Sequence, residues 1–252
     1  MATRRKAKQL VVSNAFQLTP NMRRITLRGD ALGTFPQDAA GTYFKLAFPG
    51  NDGNETTLRT YTVSQHRPEM HEIDVDFMLH ADSDGNTSGV AAAWSIKAEE
   101  GDTISIFGPG SASFINPEAN WYLLAADMTA LPALTANLTR LPADAKGYVV
   151  VEIISREDEQ PLPLPVSMEI IWVVNPEPGS DDSALFHAIK KLPWLSGSVS
   201  SWTACEFKTM KKIRHYLRNE RMIEKSHIYI SSYWKKGLQE EEHKIVKRQD
   251  AA

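Results

Sequence analysis

The chain has 252 residues, of which 42% are hydrophobic and 23% charged, and its formal net charge is −3. These values are ordinary for a globular protein and give no overall indication of binding to nucleic acid or to a membrane, so an anionic ligand needs a local basic patch. The single cysteine, Cys205, excludes an intramolecular disulfide, a cysteine-rich zinc site and an iron–sulfur cluster. Any electron transfer by this chain therefore requires an organic cofactor.

The N-terminal segment is basic and contains no apolar stretch of the length found in signal peptides. No apolar run of the chain reaches the length of a membrane-spanning helix. We therefore expect a cytoplasmic protein, long enough for two modest domains.

The first half of the chain consists mainly of short segments rich in β-branched and aromatic residues, separated by turns. In chain order they are LVVSNAFQLT, MRRITLRG, TYFKLAFPG, LRTYTVSQ, EIDVDFMLH and DTISIFGPG. Six such strands in about a hundred residues predict an antiparallel β-barrel. One helix, SGVAAAWSIKAEEG, interrupts them and is expected to end at Gly101.

The second half alternates continuous apolar strands with helices, which predicts a parallel sheet covered on both faces. The expected strands are NWYLLAAD, GYVVVEII, EIIWVVNP, VSSWTACE and SHIYISSYW. The expected helices are TALPALTANLTRLP, EFKTMKKIRHYLRNE and a polar tail, LQEEEHKIVKRQD. The sequence thus predicts a β plus α/β protein, with an antiparallel β-barrel over residues 1–116 and an α/β domain over residues 117–252.

The strand LRTYTVSQ carries an unusual set of polar side chains. In a strand, Arg59 and Tyr61 share one face and Thr62 points to the other. Arginine suits a diphosphate, a tyrosine ring suits the plane of a flavin, and a threonine suits the flavin's polar edge. Taken alone, an Arg-x-Tyr-Thr sequence is more often part of an exposed strand with a surface arginine.

The helix after Gly89 supports the interpretation of this strand as part of a flavin site. Its small residues Ala91 and Ala92 allow a phosphate to approach free N–H groups, where the helix dipole favours negative charge. The alternative is a plain serine-capped helix with Trp94 in the core. The order of the motifs along the chain is more specific than any one of them.

Five segments together resemble the siderophore-interacting proteins, which are flavin-dependent ferric-siderophore reductases of the ferredoxin-reductase-like superfamily. They are RTYTVS, DVDFMLH, GVAAAWSIKAEEGDTISIFGPG, ADMTALPAL and SSYWKKG. The resemblance implies an FAD-binding barrel followed by a nicotinamide-binding-like domain, with FAD between the two. It also implies a set of cofactor-binding residues: Arg59, Tyr61, Thr62, His80, Gly89, Ala91, Ala92, Asp127, Thr129, Ala130 and Trp234.

Three positions depart from the family's usual pattern. Ala92 replaces a serine, so a hydroxyl contact to phosphate is lost there. Met128 replaces an acidic residue, and Cys205 replaces a glycine, which narrows the clearance for a nicotinamide cofactor.

The electron donor expected from the resemblance is NADH or NADPH, bound at the carboxyl ends of the parallel strands. No G-x-G-x-x-G motif follows any strand, so the sequence itself gives little support for a nicotinamide. Arg156 suits a 2′-phosphate, whereas Glu157 and Asp158 repel one, and all three also fit a solvated turn. A ferredoxin-like protein remains open as the donor.

The expected substrate is an anionic iron(III) chelate, which calls for fixed positive charge rather than for metal ligands from the protein. The candidate cations are Lys45, Arg140, Lys247 and Arg248. Lys244, Lys247 and Arg248 are spaced to form one stripe on the tail helix. The alternatives are an outward-facing lysine on the strand and a solvated helix face in the tail.

We therefore expect a reductase that passes electrons from a nicotinamide through FAD to the iron of a siderophore, releasing Fe(II). Two other functions stay open at this point. One is a flavin reductase that exchanges electrons with a ferredoxin-like partner, and the other is a non-enzymatic siderophore carrier.

Overall fold

The computed structural model describes residues 7–49, 56–79 and 89–251. The chain divides into two compact units, Met1–Ala112 and Ser113–Ala252. The first contains an antiparallel sheet and the second a parallel one, so the predicted fold class is confirmed. Among the described residues, no helix is long and apolar enough to span a membrane.

The first unit is a seven-stranded antiparallel sheet in the order β4-β3-β7-β1-β2-β6-β5. Because β4 and β5 lie at opposite edges of this order yet only two residues separate them in the chain, the sheet has to roll up into a barrel. Its strands are β1 Lys8–Thr19, β2 Met22–Arg28, β3 Tyr43–Pro49, β4 Thr56–Thr62, β5 Gln65–Arg67, β6 Glu72–Met78 and β7 Thr103–Phe107.

One helix, α1 Val90–Lys97, packs on the barrel through Trp94. The indole ring lies 5.7 Å from the ring of Phe48 and 5.8 Å from that of Phe77. Arg23 of β2 also donates a hydrogen bond from Nε to the Ser95 carbonyl, at 2.7 Å. These contacts hold the helix against the barrel.

The predicted end of this helix was wrong. The helix ends at Lys97, because the Ala98 N–H closes the last turn on the Trp94 carbonyl and the chain then extends. Gly101 lies three residues further on, with φ 95°, and donates its N–H to the Val12 carbonyl. It serves the turn that leads into β7 rather than the helix cap.

The acidic residues of DVDFMLH are structural on β6. Asp74 and Asp76 alternate with apolar residues that face the core, and both are almost fully buried on the other face. Arg67 contacts Asp74 and Arg24 contacts Asp76, each at 2.6 Å. Because each carboxylate accepts two hydrogen bonds from its arginine, the strand is held firmly in the sheet.

The second unit is a five-stranded parallel sheet in the order β10-β9-β8-β11-β12. The chain moves outward from β8 to β10 on one side and then returns to add β11 and β12 on the other, so the strand order reverses between β8 and β11. Its strands are β8 Trp121–Asp127, β9 Lys146–Ile153, β10 Ser167–Val174, β11 Val199–Glu206 and β12 Ile228–Trp234. Its helices are α2 Leu131–Leu138, α3 Ala184–Lys191, α4 Phe207–His215 and α5 Glu240–Ala251.

Helix α3 was not predicted from the sequence. Its sequence signals are a serine before the helix and two apolar residues four positions apart. The Ser183 hydroxyl accepts the Phe186 N–H at 3.2 Å. Leu185 and Ile189 are fully buried. Thr209 of α4 donates its hydroxyl to the same serine oxygen at 2.9 Å. The cap therefore joins α3 to α4.

Replacing this cap, Ser183→Ala, is expected to lower the free energy of unfolding of the second unit by about 1 kcal/mol. The Phe186 N–H and the Thr209 hydroxyl both lose their acceptor. Urea unfolding followed by circular dichroism measures the change. The exposed Ser196→Ala serves as the control, and an equal loss in both variants contradicts the capping role.

Candidate functional site

The pairing of β4 with β3 places the side chains of LRTYTVSQ on two faces. Tyr61 lies opposite Phe44 and Arg59 opposite Leu46, so both share the face of two fully buried residues. Thr62 lies on the other face, opposite Tyr43. The alternation predicted from the sequence is thus the observed one.

Tyr61 and helix α1 rest on the same aromatic ring. The Tyr61 ring lies 4.5 Å from the ring of Phe77, and Trp94 of α1 lies 5.8 Å from that same ring. The strand that carries Arg59 is therefore fixed relative to the helix by one aromatic cluster, which we call the Phe77 cluster (Tyr61, Phe77 and Trp94).

The start of α1 is suited to an anion. Gly89 precedes the helix with φ 89°, and a Cβ placed on it would meet no atom of the described residues within 4 Å. Among the described residues, no side chain caps this helix. Arg59 is half-buried on β4, and its Nη1 donates to the Leu58 carbonyl at 2.9 Å. An arginine side chain and the first N–H groups of a helix are donors of the kind that fits a diphosphate such as that of FAD.

Two further predicted residues of this helix, Ala91 and Ala92, have buried side chains, so only their backbone is suited to a ligand. His80, which was expected to flank the cofactor, lies outside the described residues.

In the second unit, Asp127 holds together two of the other predicted residues. Its Oδ1 accepts hydrogen bonds from the Thr129 N–H at 3.0 Å and the Thr129 hydroxyl at 2.5 Å. Its Oδ2 accepts one from Nε1 of Trp234 at 2.7 Å. Burial raises the pKa of the Asp127 carboxyl, and the hydrogen bonds from Thr129 and Trp234 partly oppose that rise. Ala130, predicted beside them, is fully buried.

Two more buried carboxylates, which the sequence analysis did not select, lie at the ends of neighbouring strands. Glu152 pairs in register with Asp127, and burial together with the Asp127 charge raises the pKa of Glu152 to about 7. Glu206 ends β11 and accepts the N–H groups of Lys208 at 2.6 Å and Thr209 at 3.1 Å. Their one sequence signal is an acidic residue at the end of a predicted strand or next to it. Across residues 7–49, 56–79 and 89–251, no group of three or more His, Cys, Asp or Glu side chains could hold a metal ion.

Cys205 faces the core of the second unit and is 1% exposed. Burial and the nearby carboxylates raise the pKa of its thiol. Met128, the other departure in this unit, is also buried.

The predicted substrate-binding cations occupy different environments. Lys45 Nζ donates to the Thr60 hydroxyl at 2.8 Å, on the face of the barrel that also carries Thr62. In the second unit, the Arg140 guanidinium lies over the Phe114 ring at 3.8 Å.

The cationic stripe predicted along α5 is not formed. Lys244 pairs with Glu240 of its own helix at 2.9 Å. Lys247 turns its ammonium toward β12, where it donates to the Ser231 hydroxyl at 2.7 Å and the Ser232 carbonyl at 3.0 Å, although much of the residue is exposed. Burial of this ammonium lowers its pKa. Arg248 is exposed on the helix.

A rolled antiparallel sheet with a helix packed on it, followed by a parallel sheet whose strand order reverses, is the two-domain arrangement of the ferredoxin-reductase-like fold. Comparison of the sequence with family profiles agrees: the siderophore-interacting FAD-binding domain matches residues 11–58 and 51–113, and the siderophore-interacting protein profile matches residues 119–237. The chain belongs to the siderophore-interacting protein family.

Relatives of known name are similar over most of the chain. Ferric vibriobactin reductase ViuB of Vibrio cholerae is 34% identical over 243 residues, covering 89% of this chain and 88% of the relative. The crystal structure of the siderophore-interacting protein SipS from Aeromonas hydrophila superimposes with a TM-score of 0.83 at 27% identity, covering 98% of both chains. At the level of fold alone, the cytochrome b5 reductase domain of Ulva prolifera nitrate reductase is similar, with a TM-score of 0.66 at 14% identity over 91% of this chain and 97% of that one.

Proposed function

We propose that this protein is an FAD-dependent reductase that transfers electrons to the iron of a ferric siderophore, so that Fe(II) is released. The observation that supports this most directly is that Tyr61 of β4 and Trp94 of α1 contact the same ring, that of Phe77, while among the described residues no side chain caps the start of α1. The similarity to a ferric vibriobactin reductase supports the reaction class.

In this proposal the barrel residues bind and orient the cofactor. The Arg59 guanidinium and the backbone N–H groups following Gly89 would hold the diphosphate, Tyr61 would pack against the flavin ring, and Thr62 would bind its polar edge. Bound FAD supplies the chemistry that no side chain of this chain offers, because it accepts two electrons together and releases them one at a time. The Phe77 cluster keeps Tyr61 and α1 in a fixed relation, which preorganises the site.

The proposed electron donor is NADH or NADPH, bound at the carboxyl ends of the parallel strands near Asp127, Thr129 and Trp234. The shared fold with a cytochrome b5 reductase domain and the reversal of strand order between β8 and β11 support this placement. A ferredoxin-like protein is the second candidate donor.

The visible spectrum of the purified protein tests the function. The expected result is a yellow protein whose flavin bands bleach without oxygen under NADH, NADPH or dithionite and return when a ferric siderophore is added, with Fe(II) captured by a colorimetric chelator. A colourless protein that stays free of flavin after incubation with FAD contradicts the proposal and favours a non-enzymatic carrier. Bleaching by dithionite and reduced ferredoxin, but not by NADH or NADPH, favours a protein donor.

The substrate is proposed to be an anionic ferric chelate held by positive charge, with Lys45 as the first contact. Lys45→Ala is expected to weaken its binding about five- to tenfold at low salt, because one charge-assisted interaction is lost. Lys247→Ala, also predicted from the sequence, is expected to weaken binding less and to lower the melting temperature, since its ammonium joins α5 to β12.

Quenching of flavin or tryptophan fluorescence on titration with the ferric chelate measures both affinities. Lys190→Ala, which removes a lysine paired with Glu220, is the matched control. Unchanged affinity in Lys45→Ala at low salt rules out the proposed contact.

A further inference from the structure

The end of β4, where Thr62 lies, is at the seam of the rolled sheet. β4 pairs with β3 along one edge, and in the part of the chain that the structure describes no strand pairs along its other edge. Two residues, Val63 and Ser64, then carry the chain to β5, at the opposite end of the strand order. The position of Thr62 therefore depends on how this two-residue link is held.

The backbone of the link is held from both sides of the seam. On the β3 side, the Val63 N–H donates to the Thr42 carbonyl and the Val63 carbonyl accepts the Gly41 N–H, both at 2.9 Å. On the other side, the Ser64 N–H donates to the carbonyl of Asp74 on β6 at 2.8 Å. Ser64 is thus the point at which the end of β4 is joined to β6.

The Ser64 side chain makes a second connection, to a buried ion pair. Arg24 of β2 and Asp76 of β6 are cross-strand partners, and Arg24 donates from Nε and Nη2 to the two carboxylate oxygens at 2.6 and 2.8 Å. The Ser64 hydroxyl accepts from Arg24 Nη2 at 3.1 Å and donates to Asp76 Oδ2 at 2.8 Å. We call these three residues the Ser64 triangle. The side chains of Arg24 and Asp76 are only 14% and 6% exposed, so water competes little for these bonds.

Strand β2 also holds the other element of the proposed cofactor site. Arg23, next to Arg24, donates to the Ser95 carbonyl of α1, as described above. One strand thus supports both α1 and the link that follows Thr62. The Phe77 cluster fixes Tyr61, and the Ser64 triangle fixes the chain just beyond Thr62, so the two sets of contacts act on neighbouring residues of β4.

We propose that Arg24, Ser64 and Asp76 are positioning residues of the cofactor site, which hold Thr62 where it binds the polar edge of the flavin. They act through the Val63–Ser64 link and do not need to touch the flavin themselves. This inference rests on the proposed function, and it adds what keeps Thr62 in place before FAD binds. A site whose contacting residue is held by supporting hydrogen bonds does not have to be ordered by its ligand.

The variant Ser64→Ala tests the inference in the full-length protein. It removes both side-chain hydrogen bonds of Ser64 and keeps the Arg24–Asp76 pair, so we expect it to fold. In titrations of the flavin-free protein, the dissociation constant for FAD should rise about three- to tenfold, because binding must then order the end of β4. The visible circular dichroism of bound flavin, which responds to its hydrogen bonds, should change as well. Ser64→Thr keeps the hydroxyl and should restore both properties.

A double-mutant cycle separates positioning from a general loss of stability. Thr62→Val removes the Thr62 hydroxyl, so adding Ser64→Ala to it should weaken FAD binding little further, and the two losses should not add. Ser13→Ala is the matched control, because the Ser13 hydroxyl on β1 also donates to a carboxylate of β6, that of Glu72, at 3.3 Å. This control should leave FAD affinity and the flavin spectrum unchanged.

Losses that add fully in the double variant overturn the inference. So do an FAD affinity and a flavin spectrum of Ser64→Ala that equal those of the wild type. The proposed function is checked separately in the wild type, by the reoxidation of dithionite-reduced, FAD-loaded protein with a ferric siderophore. A wild type that binds FAD but is not reoxidised contradicts the proposed function, and the cycle still decides on the Ser64 triangle. A wild type that binds no FAD contradicts both.

Discussion

Arg59→Ala is expected to lose FAD before it loses its fold. The variant removes a planar cation able to hydrogen-bond the diphosphate, and one hydrogen bond between charged groups is worth about 1.5 to 3 kcal/mol. The dissociation constant for FAD should therefore rise about 10- to 100-fold. The melting temperature of the flavin-free protein should change little, because Arg59 is only half-buried and lies on the edge strand β4.

The ratio of flavin to protein absorbance after gel filtration measures retention, and titration of the flavin-free protein with FAD gives the affinity. Arg59→Lys is expected to fall between the wild type and the alanine variant, because lysine keeps the charge but not the two-pronged geometry. Arg28→Ala, which removes a mostly exposed arginine from β2, serves as the control. If Arg59→Ala retains FAD within about twofold of wild type, Arg59 does not bind the diphosphate.

Glu152→Gln is expected to stabilise the second unit at alkaline pH and to have little effect at acid pH. The pKa of Glu152 is raised from its ordinary value of 4.5 to about 7, so the folded state binds this proton more tightly than the unfolded state does. The stability that comes with the bound proton is fully present below pH 4.5 and is lost as the pH rises through 7. The wild type should therefore weaken over this window by on the order of 2 to 3 kcal/mol, and the variant should not.

At pH 8 this difference corresponds to a melting temperature about 5 to 10 °C higher in the variant, read from thermal unfolding of the second unit. At pH 4.5 the two proteins should unfold at similar temperatures. Glu118→Gln, an exposed position, should show neither effect. A wild-type melting temperature that stays level from pH 5 to 8 contradicts a raised pKa at Glu152.

The sequence predicted the strands well because their signal is local. Each long strand is a run of β-branched and aromatic residues bounded by turns, and the alternation along LRTYTVSQ correctly separated Arg59 and Tyr61 from Thr62. Helix α3 was missed because its eight residues offer only two fully buried apolar side chains. The end of α1 was misplaced because a glycine three residues further on looked like a cap.

The buried carboxylates could not be found in the same way. Asp127 and Glu152 are 25 residues apart in the chain, and only the parallel pairing of β8 with β9 brings them side by side. Burial raises the pKa of both carboxyls, and the Asp127 charge raises that of Glu152 further. A local sequence pattern contains neither effect. Similarly, the periodicity of the tail predicted helix α5, but it did not reveal that Lys247 contacts β12.

The contacts of Tyr61 and Trp94 with the Phe77 ring limit which substitutions the barrel tolerates at these three positions. Tyr61 on β4 and Trp94 on α1 both contact Phe77, so a smaller or larger residue at position 77 moves β4 and α1, the two elements of the proposed cofactor site, together. Variation at these three positions should therefore be correlated in homologues. An engineer who wishes to reshape the cofactor site has to redesign the three residues as one unit.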